Sequence, residues 1–141
     1  MNEQFIISRA ILIANYTGIA VSFFLFLWFE FRPAITSFWK RFFAGYAAYY
    51  VTFVLIVHII DRYITYRVYT FDHDGDQVFQ DHELVGELGF FWDAMILDAG
   101  RNFAPFTGII YGVIIACIGY GLAFACGRAF KYFRAKLSSP Q

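Results

Sequence analysis

Polar and apolar positions along this chain separate into long blocks instead of alternating at short period. Ala10 to Phe29 runs for 20 residues without Asp, Glu, Lys or Arg. Phe42 to Ile60 does so for 19 residues, and Asn102 to Gly127 for 26. A helix rises about 1.5 Å per residue, so about 20 residues cross the hydrocarbon core of a bilayer. In lipid the backbone must satisfy its own hydrogen bonds, which makes helices the default. A β-barrel would show shorter segments that alternate in polarity, and these blocks do not. The pattern predicts three transmembrane helices, at about 10–31, 42–61 and 103–127. The expected class is an all-α integral membrane protein forming a single membrane domain over residues 1–141, with an outer loop at 62–102 and a basic tail at 128–141.

The first block reads as a span, not as a cleaved signal. Arg9 is its only positive flank, its apolar run exceeds an h-region, and Phe29, Glu30, Phe31 and Arg32 follow it where a small-residue cleavage pattern would stand.

Composition supports lipid as the solvent. Hydrophobic residues make up 60% of the 141 and charged residues 16%, against roughly 45–50% and 25% in soluble domains. A globule of this size has too little interior to hide so much apolar surface. The balance excludes a disordered chain, a collagen and a basic nucleic-acid binder. Trp28, Trp39, Tyr46, Tyr49, Tyr50, Tyr63, Tyr66 and Trp92 fall near the expected helix ends. Amphipathic rings favour that headgroup level.

The formal net charge is zero, from 11 basic and 11 acidic residues, but the signs are sorted along the chain. The first connection carries Arg32, Lys40 and Arg41 and no acid, and the tail carries Arg128, Lys131, Arg134 and Lys136 and no acid. Asp61 to Arg101 carries three arginines against nine acids. Positive segments stay inside. The expectation is a cytoplasmic first connection and C-terminus, with the N-terminus and loop 62–102 periplasmic or lumenal.

Gly108, Gly112, Ala116, Gly119, Ala123 and Gly127 recur three or four residues apart, on one stripe of the third helix. Small side chains let a second backbone approach closely, so dispersion drives association in lipid. The partner is either this chain's own first two helices or another subunit. Cys117 and Cys126 lie about 13 Å apart along the same helix, too far to bond within it. Their expected role is packing.

The acidic loop carries the one recognisable motif, FDHDGDQVFQDHEL from Phe71. Asp72, Asp74 and Asp76 occupy positions 1, 3 and 5 of a twelve-residue loop, Gln80 position 9 and Glu83 position 12. The stretch resembles an EF-hand calcium loop over about 14 residues. The resemblance implies calcium held by Asp72, Asp74, Asp76, the Val78 carbonyl, Gln80 and Glu83, because a hard cation takes six to eight oxygens. Gln77 departs from the pattern at position 6, where glycine makes the sharp turn. The alternative is a β-hairpin. Thr65 to Phe71 is rich in β-branched and aromatic residues, and Asp74-Gly75 is a turn signal before Gln77 to Gln80. His73 and His82 leave zinc or copper as lesser options. Beyond the motif, Leu84, Leu88, Phe91 and Met95 predict an amphipathic helix within 83–102. Such a helix either lies on the membrane surface or caps a protein partner.

Asn15, Tyr16 and Thr17 fall within the first span, and His58 and Asp61 close the second. Ionisable groups at such depth are functional candidates, and His58 shares a helix face with Arg62. Nucleotide, zinc-protease and serine-hydrolase motifs do not occur. The expected function is a non-catalytic accessory subunit of a larger membrane complex, partnered by other membrane subunits and the bilayer. No nucleic-acid partner and no particular small-molecule substrate are indicated. A homo-oligomeric cation channel and a redox or metal subunit using His58 are the alternatives.

Overall fold

The computed structural model describes residues 3–31, 37–71, 79, 86–96 and 99–138, and the described residues form helices and the turns that join them. In chain order these are α1 (Glu3–Ser8), α2 (Ala10–Phe31), α3 (Phe38–Thr70), α4 (Glu87–Ile96), α5 (Ala99–Asn102) and α6 (Ala104–Ser138). α2, α3 and α6 are each long and apolar enough to cross a membrane. They pack as an up-down-up bundle.

The bundle core is layered along its axis. Ala14, Tyr49, Phe53, Val57 and Ala104 fill one layer, and Phe26, Ala116 and Ala123 another. Small residues face large ones throughout, as close packing requires. Gly45 is the extreme case: a Cβ there would overlap the Phe26 ring. The contact is locked beside it by the Ser22 hydroxyl, which donates to the Gly45 carbonyl at 2.9 Å.

Two helices run past their charge-free blocks. α3 continues from the expected end near 61 to Thr70. Its buried positions Tyr49, Phe53 and Val57 are followed on the same face by Ile64 and Val68. An existing helix also propagates at little cost. Thr65 to Thr70 is therefore helical, which removes the first strand of the hairpin alternative. Strand propensity is weak and yields to packing context. α6 likewise extends to Ser138, so the basic tail is helix over most of its length. Its Arg, Lys and Ala are good helix formers.

The amphipathic segment forms as α4 and the one-turn α5. Gly86 precedes α4 at φ 64°, a conformation that glycine adopts without steric cost. The apolar face of α4 is covered by the chain itself: Leu88 and Phe91 pack with Ile7 of α1 and Ile64 and Val68 of α3. Arg67 fastens the contact. Its guanidinium lies 5.0 Å from the centre of the Phe91 ring and 3.5 Å from the Glu87 carboxylate. The covering is internal because α3 supplies an apolar face beyond its charge-free block.

Candidate functional site

Where α3, α5 and the start of α6 meet, they line an open cavity of about 180 Å³. Val54, Val57, Ala104 and Pro105 line its apolar part, and His58, Asp61, Arg101 and Asn102 its polar part. α3 places Val54, Val57, His58 and Asp61 on one face through their three- and four-residue spacing. α5 brings Arg101 and Asn102 against that face just before Phe103 turns the chain into α6.

Arg101 is the enclosed member, with its side chain only 2% exposed, while Asp61 is 43% exposed. Arg101 Nε stands 3.9 Å from Asp61 Oδ1, an ion pair beyond hydrogen-bond length. Thr65 Oγ1 donates to the Asp61 carbonyl at 3.0 Å and ties down the backbone there. Arg62 Nε donates to His58 Nε2 at 3.4 Å, a long contact on the exposed side. The cavity therefore presents a cation, a carboxylate, an imidazole and an amide above an apolar floor. That set can hold a small molecule carrying both charge signs.

His58 and Asp61, the polar candidates at the end of the second block, both line this cavity. Arg101 joins them only through the fold. Its one signal in the sequence is position, as the last charge before the third apolar block. Among the described residues, no three His, Cys, Asp or Glu side chains are placed to hold a metal. Asp72, Asp74, Asp76, Val78, Gln80 and Glu83, the calcium positions read from the sequence, lie outside the described residues. Within that stretch Phe79 is described, and its ring packs 5.0 Å from Trp92 of α4.

Two other polar groups are structural. Tyr49 Oη donates to Asn15 Oδ1 at 2.5 Å, and Asn15 Nδ2 donates to the Ile11 carbonyl at 3.1 Å. The amide of the first span is thereby satisfied inside the bundle. At the opposite end from the cavity, Arg41 Nη1 donates to Glu30 Oε1 at 2.7 Å. These side chains are 16% and 7% exposed.

The small-residue stripe of α6 faces the chain's own helices. Gly108 meets Phe53 and Tyr50, Gly112 meets Tyr46 and Tyr49, and Gly119 meets Phe26. Ala116 and Ala123 are fully buried, and Gly127 meets Glu30. Cys117 and Cys126 are exposed, so neither packs inside the bundle as expected. Compared with protein-family models, curated proteins and solved structures, the chain matches none.

Proposed function

We propose that the chain crosses a membrane three times and serves as a non-catalytic accessory subunit of a larger membrane complex. Residues 62–102 then stand on the periplasmic or lumenal side and the basic end in the cytoplasm. The observation that carries this reading is the second face of α6. One face is filled by α2 and α3. The other carries Cys117, Gly121 and Ala125 at four-residue spacing, all exposed. A Cβ added at Gly121 would meet no atom within 4 Å. Ile114, Ile118 and Leu122 flank this shallow track and are exposed or nearly so. A helix from another subunit can approach such a surface closely, with dispersion as the driving force.

Calcium is the proposed ligand of the Asp72–Glu83 segment, which would act as a stiffened contact on the outer side. The channel alternative has to run between copies, because Tyr49, Phe53 and Phe26 fill the bundle of a single chain. The redox alternative places a metal cation beside the Arg101 guanidinium, which repels it.

Mild detergent extraction from native membranes, followed by a native gel and mass spectrometry, tests the reading. The wild type should migrate with stoichiometric partners. Gly121→Leu should release them while leaving the isolated chain as stable as wild type or more so by up to about 1 kcal/mol, since leucine is the better helix former and meets open space. A wild type that migrates alone, or a complex untouched by Gly121→Leu, overturns it.

A further inference from the structure

We propose that the cavity between α3, α5 and α6 binds a phosphoethanolamine group, supplied as the headgroup of a phosphatidylethanolamine in the adjoining leaflet. The proposal rests on the reading of the chain as membrane-spanning.

The order of residues along α3 is the first argument. Val54 and Val57 lie within the charge-free block and Asp61 just past its end, about 10 Å from Val54 and about 6 Å from Val57 along the helix axis. Ala104 and Pro105 extend the apolar side, and Arg101 and Asn102 the polar side. The cavity is therefore amphipathic along the direction in which a phospholipid is amphipathic. Its polar part falls where headgroups begin, since Phe42 to Ile60 has about the length of the hydrocarbon core.

Charge arrangement is the second argument. A guanidinium presents five N–H donors in a fixed fork, so Arg101 can serve Asp61 and a phosphate together. The Asp61 carboxylate is an acceptor for an ammonium. In phosphoethanolamine the two charges are separated by two methylenes, which suits a cation and a carboxylate standing side by side at 3.9 Å. A net anionic headgroup would meet the repulsion of Asp61. Phosphocholine cannot donate hydrogen bonds from its quaternary nitrogen, and among the described lining residues there is no Phe, Tyr or Trp to form an aromatic cage for it.

The test uses the full chain in vesicles of equal parts phosphatidylethanolamine and phosphatidylcholine with matched acyl chains. After flotation and gentle detergent extraction, the retained lipid is quantified by mass spectrometry. Wild type should retain phosphatidylethanolamine over phosphatidylcholine at least roughly tenfold above the bilayer ratio, the lower end of what one charge-assisted hydrogen bond supplies. Asp61→Asn should still retain phospholipid but without that preference, and Arg101→Gln should lose retention of both. Because Arg101 is enclosed, its replacement puts local folding at risk, so the exposed Asp61 carries the decision. Asp93→Asn on α4, away from the cavity, should behave as wild type. Wild type that floats with the vesicles yet holds both lipids in the bilayer ratio overturns the headgroup site and leaves the membrane reading standing. Failure to float overturns the membrane reading itself. Glycerophosphoethanolamine raising the Tm of the lipid-free, detergent-solubilised chain as much as the lipid does would make a soluble phosphoamine the source and overturn the lipid.

Discussion

α3 and α6 both overrun their charge-free blocks, at opposite ends of the bundle, and the two overhangs are finished differently. On α3, Ile64 and Val68 are fully enclosed by Leu88, Phe91 and Ile7. On α6, Phe130, Phe133 and Leu137 stand exposed, Leu137 by 88%. The first overhang is built into a small core, while the second carries exposed aromatics among Arg128, Lys131, Arg134 and Lys136, with Phe130 touching Phe31 of α2. Helix continuation is cheap at both ends. What differs is whether the same chain returns a covering element, and among the described residues one is seen at the α3 end. That end also holds the polar cavity, because α4 and α5 carry Arg101 back toward Asp61.

The sharpest way to break the contrast is Phe91→Ala. Its ring is 2% exposed at the centre of the α3–α4 cluster, and losing it should cost about 3 kcal/mol. Hydrogen exchange should then rise across 87–96 while α2 stays protected. Uniform protection of both would mean that α4 is not held by this cluster. At the other end, Glu30→Gln keeps an oxygen that can accept from Arg41 but removes the negative charge from a mostly enclosed pair. A loss of about 2 kcal/mol is expected, read as a lower Tm in detergent, and an unchanged Tm would place the pair in open solvent. The smallest effect belongs to the bare overhang. Phe133→Ala should shift stability by no more than about 0.5 kcal/mol. A larger loss seen only in the native complex would reveal a partner covering that face.

Much of the bundle was legible from charge alone. The three apolar blocks correspond to α2, α3 and α6, since about 20 residues without charge have the length and apolarity of a helix able to span a membrane. Helix ends were less legible. Asp61, Arg62 and Arg67 look like a loop from a hydropathy standpoint, yet Ile64 and Val68 keep the helical period through them. Thr65 to Phe71 looked like a strand because β-branched and aromatic residues favour strands only in a suitable packing context. At the cavity, His58 and Asp61 share a face by spacing. Arg101 does not, because the whole acidic segment lies between them.

Block length and the sorting of charge belong to the sequence by itself. Lipid-compatible runs demand internal hydrogen bonding, and helix formation is a local response to that demand. The stripe on α6 was visible in the same way, as a period along one helix. Its partner was not, since any backbone can approach a row of glycines. Tertiary packing decided that Tyr46, Tyr49, Phe53 and Phe26 of this chain fill it, that Gly121 is left facing outward, and that Arg101 comes to rest beside Asp61. Each of these depends on how distant segments meet in three dimensions, and one helix's periodicity carries no information about its neighbour's.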